Sequence, residues 1–240
     1  MDLKLKKILS DVVPPVLFRM IKKIIRGRYM AKDELDKKLE KYLTYKNGFF
    51  IELGANNGLK ESNTYYYEKY KSWRGILIEP SPNKFIECKT NRSTDNSFFC
   101  CACVSFDFKE EFVKIVYSNL MSAPVNIESD LIDPTAHALK GEVYLPENEQ
   151  IFEFGAKAIP LQHLLVASKA PKIIDLLSLD VEGAELEVLK GINHNEYRFK
   201  FMLIECRNYK RLETYLTSLG YSLLEKLSHH DYLFTNDGNK

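Results

Sequence analysis

Residues 51–58 read Ile51-Glu52-Leu53-Gly54-Ala55-Asn56-Asn57-Gly58. The apolar run at 49–53 predicts a short strand, and the glycines that follow predict a tight turn. Because glycine has no Cβ, Gly54 and Gly58 would let the backbone approach a ligand closely. Open α/β sheets bind ligands beyond the carboxyl ends of their strands, where the strand order reverses. We therefore expect these residues to form a ligand-binding turn.

Strands and helices alternate after this turn. Further strands are predicted at 75–78, 98–104, 176–179 and 201–204, and helices at 62–71, 82–91, 184–189 and 212–219. This alternation predicts a parallel sheet with right-handed crossovers. Two more extended runs, 221–226 and 231–235, predict a closing antiparallel hairpin. The expected fold class is therefore α/β, with a mostly parallel sheet and a terminal antiparallel hairpin.

Charge is unevenly distributed along the 240 residues. The net charge is +1, which gives no argument for a nucleic-acid partner, yet residues 1–46 carry 13 Lys/Arg against 6 Asp/Glu. We expect a basic helical arm at 1–46 and one domain at 47–240. Within the arm, an apolar stripe opposite basic residues predicts an amphipathic helix. That helix packs on its own domain or on a second copy, or residues 1–30 lie on an anionic membrane surface. A charged helix at 31–46 is expected to lead into the domain.

Residues 105–160 interrupt the alternation of strands and helices. They contain a predicted strand pair near 112–117, followed by prolines at positions 124, 134 and 146. A long irregular insertion in a compact domain is usually a lid or a binding loop. We interpret this insertion as an acceptor-binding lid.

The five cysteines indicate reduced thiols rather than a metal site. Cys100, Cys101 and Cys103 lie in a strand-like run, where neighbouring side chains point to opposite faces and cannot all reach one ion. Zinc would need better-spaced ligands, so no metal residues are assigned. Free thiols favour the cytoplasm, and no segment approaches the ~20 apolar residues of a membrane span. A peripheral location on the inner face of the cytoplasmic membrane stays open through the arm.

Acidic side chains follow the predicted strands. Glu52 would repel phosphate but attract an ammonium group, and the turn lacks the lysine of a phosphate-binding loop. Glu79, after the second strand, is placed to accept hydrogen bonds from ribose hydroxyls. Asp180 and Glu182 follow a buried strand in Ser178-Leu179-Asp180-Val181-Glu182-Gly183-Ala184-Glu185. Either carboxylate serves chemistry or only caps the next helix.

Together these motifs resemble the FkbM family of methyltransferases that use S-adenosylmethionine (SAM). The resemblance covers about 48–235 and is carried by Ile51 to Gly58, Ser62-Asn63-Thr64, Trp73-Arg74-Gly75, Ile78-Glu79-Pro80 and Leu179 to Glu185. It implies a Rossmann-like fold and O-methylation. It also implies cofactor contacts in which the methionine end lies at Glu52 and 54–58, the ribose at Glu79-Pro80, and the adenine at Cys101-Ala102. The cofactor-binding set is Glu52, Gly54, Ala55, Asn56, Gly58, Glu79, Pro80, Cys101, Ala102 and Asp180.

A positioned base should contribute to the chemistry, because a sugar hydroxyl is a poor nucleophile. Asp180 is the first candidate and Glu182 the second, with His137, His163, His229 and His230 in reserve. Mg²⁺ bound by Asp180, Glu182 and Glu205 would be an alternative, although no spacing requires it. One departure from the family is the stretch 159–163, which lacks the acidic residue that many relatives carry there.

The expected acceptor is a small molecule or a glycan. The arm is similar to the start of bacterial enzymes that assemble surface polysaccharides, which favours a sugar hydroxyl in capsule, lipopolysaccharide or another surface glycan. Two alternatives remain: a nicotinamide-dependent oxidoreductase of similar fold, and a non-catalytic scaffold. The oxidoreductase is disfavoured, because the turn of this sequence lacks the Gly-x-Gly-x-x-Gly pattern that binds a dinucleotide. A homo-oligomer is compatible with the sequence, which names neither the acceptor nor the oligomeric state.

Overall fold

A computed structural model of the protein describes residues 27–147 and 149–236. Its strands are β1 (Phe49–Leu53), β2 (Arg74–Ile78), β3 (Ser97–Phe99), β4 (Ala102–Val104), β5 (Phe112–Tyr117), β6 (Ala123–Pro124), β7 (Phe152–Pro160), β8 (Ile173–Leu179), β9 (Arg198–Glu205), β10 (Tyr221–Lys226) and β11 (Asp231–Asn236). Its α-helices are α1 (Leu35–Leu39), α2 (Tyr65–Lys71), α3 (Pro82–Asn91), α4 (Pro134–Lys140), α5 (Leu161–Ala167), α6 (Glu185–Lys190) and α7 (Tyr209–Ser218).

Seven of these strands form one sheet in the order β10-β11-β9-β8-β1-β2-β3. β1 pairs in parallel with β2 and β8, and parallel pairing continues to β3 on one side and to β9 on the other. β11 runs antiparallel to both β9 and β10. The predicted Rossmann-like sheet with its terminal hairpin is therefore confirmed. Because the strand order reverses at β1, the ligand crevice of such a sheet lies beyond Leu53.

The central strands are apolar on both faces because the chain covers both faces of the sheet. Ile51 and Leu177 belong to the larger core cluster. Their neighbours Phe50 and Leu176 point to the opposite face and belong to a second cluster, since side chains alternate along a strand. All four are fully buried.

The single tryptophan joins the N-terminal segment to this second cluster. Trp73 is only 3% exposed, and its indole Nε1 donates to the carbonyl oxygen of Tyr45 at 3.1 Å. The Tyr45 and Trp73 rings stack with centroids 5.4 Å apart. Leu39 and Leu43 are fully buried in the same cluster. The described end of the predicted arm thus packs on the sheet.

The helix expected at 31–46 is shorter than predicted, because only Leu35–Leu39 is α-helical. Asp33 and Glu34 have φ values of +51° and +55°, a left-handed conformation that breaks the helix before it begins. The buried carboxylate of Asp36 accepts the backbone N–H of Met30 at 2.7 Å, which folds the chain back over α1. The amphipathic stretch at 1–26 lies outside the described residues, and the arm boundary at residue 46 stays a prediction. No helix among the described residues is long and apolar enough to cross a membrane.

The single strand predicted at 98–104 is wrong. The structure splits it into β3, at the edge of the large sheet, and β4, which pairs in parallel with β7 in a four-stranded sheet of order β4-β7-β5-β6. The chain bends at Cys100, which is exposed, whereas the other cysteines are buried. The insertion at 105–160 supplies β5, β6, α4 and β7, so it is more ordered than the irregular stretch that the prolines suggested.

Candidate functional site

A cavity of about 350 Å³ opens at the carboxyl ends of β1, β2, β8 and β9, where a reversal of strand order predicts a ligand site. Its volume is within the range of small-molecule sites, about 300–1,000 Å³. All but one of the predicted site residues line it: Glu52, Gly54, Ala55, Asn56, Glu79, Pro80, Cys101, Ala102, Asp180 and Glu182. Gly58 lies outside the wall.

The glycines of the turn are required by contacts within the protein. Gly54 has φ +76°, and a Cβ there would lie 1.9 Å from the carbonyl oxygen of Asp180. Gly58 has φ +78°, and a Cβ there would press on the side chain of Arg92 at 2.7 Å. Contacts within the chain thus already require glycine at both positions, and the close approach of a ligand to this turn stays a prediction, with Gly54 in the cavity wall.

The carboxylate of Glu52 is held by four donors from the protein. Its Oε1 accepts the Ser62 hydroxyl and the Asn63 backbone N–H, both at 2.9 Å. Its Oε2 accepts the Thr64 hydroxyl at 2.6 Å and Nη1 of Arg92 at 3.1 Å. Sequence reasoning missed Arg92, whose side chain is fully buried. Glu52 thus anchors the turn, and its contact with a methionine ammonium stays a prediction.

Glu79 joins the turn to the end of β2. Its Oε2 accepts the backbone N–H of Asn56 and its Oε1 that of Ser81, each at 2.8 Å. Burial raises the pKa of Glu79, and the two N–H donors partly offset this. Each carboxylate oxygen keeps a further lone pair, so Glu79 is equipped to accept hydroxyl donors from the cavity.

Three carboxyl groups meet at the other end of the cavity. Oxygen atoms of Asp180, Glu182 and Glu205 lie within 4.8 Å of one another. Oδ1 of Asp180 is buried and has no hydrogen-bond partner among the described residues. Burial raises the pKa of Asp180 well above its usual value, and the negative charges of Glu205 and Glu182 raise it further. This end of the cavity therefore holds a carboxyl group with a raised affinity for a proton.

The carboxylate of Glu182 is held by two side chains, His137 and Arg207. Its Oε2 lies 2.8 Å from Nε2 of His137, on α4 of the insertion, and 3.1 Å from Nη2 of Arg207. Arg207 also donates through Nη1 to Oε1 of Glu205 at 3.0 Å. Of the reserve histidines, only His137 lines the cavity. The role of Arg207 was not predicted. Its position two residues after Glu205, at the end of β9, could have indicated that its side chain lies at the same edge of the sheet.

The carboxyl cluster does not fit a preformed Mg²⁺ site. Arg207 already lies on Glu182 and Glu205, and His137 takes the same oxygen of Glu182. The positive charge of Arg207 already compensates two of the three carboxylates, which leaves less negative charge for a metal ion.

Glu185 supports the loop that carries Glu182, a role that sequence analysis did not assign. Its Oε1 accepts the backbone N–H groups of Val181 at 3.0 Å and Gly183 at 3.1 Å. Glu182 itself has φ +54°, so this loop needs such support. Burial raises the pKa of Glu185 to about 7. Neither Asp180 nor Glu182 caps α6, whose N-cap is Ala184 without a side-chain hydrogen bond.

The insertion closes one side of the cavity. Asn119 accepts a hydrogen bond from Nδ2 of Asn56 at 3.3 Å, and the backbone N–H of Asp130 donates to Gly183 at 2.8 Å. The insertion residues of the wall are Val113, Ile115, Asn119, Leu120, Met121, Ser122, Pro124, Ile127, His137 and Tyr144. The N-terminal segment adds Lys32 and Leu35, which sequence analysis placed in the arm.

Comparison with known proteins identifies one family. The family model of the methyltransferase FkbM domain matches residues 52–223. Among solved structures, the chain is similar to methyltransferase FkbM from Methylobacillus flagellatus KT, with 14% identity, a TM-score of 0.45 and coverage of 87% of this chain and 56% of that chain. The chain is also similar to the delta-N METTL16 MTase domain, with 12% identity, a TM-score of 0.42 and coverage of 84% and 80%. It thus spans little more than half of the first of these structures. None of the curated proteins matches it.

Proposed function

The chain belongs to the FkbM methyltransferase family, and we propose that it uses SAM to methylate a sugar hydroxyl in a bacterial surface glycan. One observation carries the SAM assignment: a strand-end carboxylate, Glu79, stands beside the turn at 54–58, on the edge where the strand order reverses. An adenosine needs this pairing of an acidic acceptor with a close backbone turn.

The proposed cofactor lies along the edge of the sheet. Glu79 accepts the ribose hydroxyls, and Pro80, Cys101 and Ala102 cover the adenine. The methionine end lies over 54–56, where Asn56 is already fixed by Glu79 and Asn119. The cavity fits such a ligand because its wall is polar at the strand ends and apolar at β4 and β5.

Asp180 is the proposed base. When bound, SAM supplies a methyl group that its positive sulfur activates for in-line displacement. Asp180 takes the proton of the acceptor hydroxyl through Oδ1, the atom that lacks a protein partner. Its raised pKa means a raised affinity for the proton that it would accept. Glu182 is the second candidate, although His137 and Arg207 hold it and favour an orienting role.

The sugar acceptor, the cytoplasmic location and a peripheral membrane contact through residues 1–30 are parts of the same proposal. They rest on the similarity of the arm to the start of surface-polysaccharide enzymes. A self-association through the same arm is compatible with it. The walls that the insertion contributes, including His137 and Tyr144, would meet the acceptor.

Calorimetric titration of the purified chain tests the cofactor assignment. We expect saturable binding of SAM and none of NAD. Binding of NAD alone would favour an oxidoreductase, and binding of neither would favour a non-catalytic scaffold. Mass spectrometry of surface glycans from cells with and without the protein tests the acceptor, since loss of a methyl ether identifies the methylated sugar.

A further inference from the structure

The N-terminal segment places a cation at the mouth of the cavity. Ala31 forms an isolated parallel bridge with Glu61, and Leu35 is 3% exposed in the cavity wall. Between them, Lys32 also lines the cavity. The left-handed backbone conformation of Asp33 turns the chain between Lys32 and Leu35. Lys32 lies before residue 52, where the family match begins, so it belongs to a part of the chain that the family pattern does not describe.

The ammonium of Lys32 lies among carboxylates at the ends of β8 and β9. Burial lowers the pKa of Lys32, but the negative charges of Glu205, Glu61 and Asp180 outweigh this effect and raise it. None of the ion pairs within 4.0 Å between described residues involves Lys32. By contrast, Arg207 is already bound to Glu182 and Glu205. Lys32 is therefore an available cation in a strongly acidic wall.

A ligand carboxylate at this end of the cavity needs such a cation. The adenosine is proposed beside Glu79 at β2, and β8 lies two strands away, about 10 Å at the usual spacing. An extended SAM molecule spans such a distance between its ribose hydroxyls and its amino-acid end. Asp180 and Glu205 would repel its carboxylate, whereas they attract its ammonium group.

We propose that the ammonium group of Lys32 binds the carboxylate of the methionine moiety of SAM. This inference rests on the proposed function. The N-terminal segment, which lies outside the matched residues 52–223, then contributes to the cofactor site. An interaction of this kind between an exposed lysine and a ligand weakens with salt.

The test compares SAM with decarboxylated SAM, which lacks only the carboxylate, by calorimetry on the full chain. We expect Lys32→Ala to weaken binding of SAM about five- to tenfold, and binding of decarboxylated SAM less than twofold. Lys32→Arg should keep most of the affinity for SAM. Lys37→Ala, in the same segment but outside the cavity wall, is the matched control and should bind both ligands as the wild type does.

Three outcomes would overturn the inference. An unchanged affinity of Lys32→Ala for SAM would remove Lys32 from the site, and an equal loss for both ligands would indicate a structural role. A carboxylate-specific loss in Lys60→Ala instead would assign the contact to the other lysine of the wall. If the wild type binds neither ligand, the proposed function fails as well, so the two failures are distinguishable.

Discussion

Two strand-end carboxyl groups on the same sheet edge differ in how the protein treats them. Glu79, at the end of β2, receives a backbone N–H on each oxygen. Asp180, at the end of β8, faces Glu182 and Glu205 and leaves Oδ1 without a partner. Burial raises both pKa values, but only that of Asp180 is raised further by neighbouring negative charge.

On the proposed function, the difference separates the binding end of the cavity, at Glu79, from the reactive end, at Asp180. Around Glu79 the chain satisfies its own polar groups, which fixes the geometry before any ligand arrives. Around Asp180 the fold tolerates an unsatisfied buried oxygen and like charges in contact, which destabilise the folded state. Such local conflicts are expected at functional sites.

The largest expected effect is on turnover at the reactive end. Asp180→Asn should lower turnover on the true acceptor by about 10²–10⁴, the usual contribution of a positioned base. It should bind SAM nearly as well as the wild type, because the proposed cofactor contacts at Glu79 remain. Steady-state kinetics with parallel calorimetry measures both quantities. Normal turnover in a well-folded Asp180→Asn protein would remove Asp180 from the chemistry.

The second effect is on stability beneath the binding end. Arg92→Met removes one member of a buried ion pair and leaves the Glu52 carboxylate without its cation. We expect the free energy of unfolding to fall by about 3–5 kcal/mol, the cost of breaking such a pair from one side. Arg74→Met, at an exposed arginine, is the control and should change it little. Urea unfolding of both variants measures the difference, and similar losses would contradict the assigned role of Arg92.

The third effect is on cofactor affinity at the binding end. Glu79→Ala should weaken SAM binding by about 1–3 kcal/mol, the scale of lost hydrogen bonds to a charged group. Glu79→Gln should lose less, because the amide keeps one acceptor oxygen. Calorimetry distinguishes the two variants. An affinity for SAM equal to that of the wild type in both would exclude Glu79 from the cofactor site.

The smallest effect concerns the support of the reactive loop. The pKa of Glu185 is raised to about 7 in the folded state, against about 4.3 in an unfolded chain. Below about pH 4 the carboxyl group is neutral in both states. Between about pH 4.3 and 7 it ionises in the unfolded chain but stays neutral in the folded one, so the free energy of unfolding falls as the pH rises toward 7. Glu185→Gln keeps an acceptor for Val181 and Gly183 but cannot ionise. Between pH 5 and 6.5, the free energy of unfolding of the wild type should fall by about 1–2 kcal/mol more than that of Glu185→Gln. Parallel pH curves for the two proteins would show that Glu185 does not ionise in this range.

The sequence predicted the sheet and the strand-end carboxyl groups because both leave local patterns. Buried parallel strands are continuous apolar runs, and the residue after each run lies at the sheet edge. The break at Cys100 left no such pattern, because an apolar run looks the same whether it stays in one sheet or bends into another. The partners of the carboxyl groups were not predictable either. Arg92 lies 40 residues after Glu52, and only the folded chain brings them together.

The N-terminal segment shows the same limit. Charge counting placed Lys32 and Leu35 in an arm, since composition separates a basic stretch from an acidic body. Packing instead brings Leu35 into the cavity wall beside the strand ends. The boundary between arm and domain that charge predicts therefore differs from the boundary that the contacts of the folded chain indicate.

Trp73 gives this segment an optical readout. It is the only tryptophan of the chain, and its ring stacks on Tyr45 of the N-terminal segment. The intrinsic emission of the protein on excitation near 295 nm therefore comes from one buried indole. Undocking of the segment would expose that indole to water and shift its emission to longer wavelength. The protein thus carries a built-in, label-free fluorescence reporter for the packing of its N-terminal segment on the sheet.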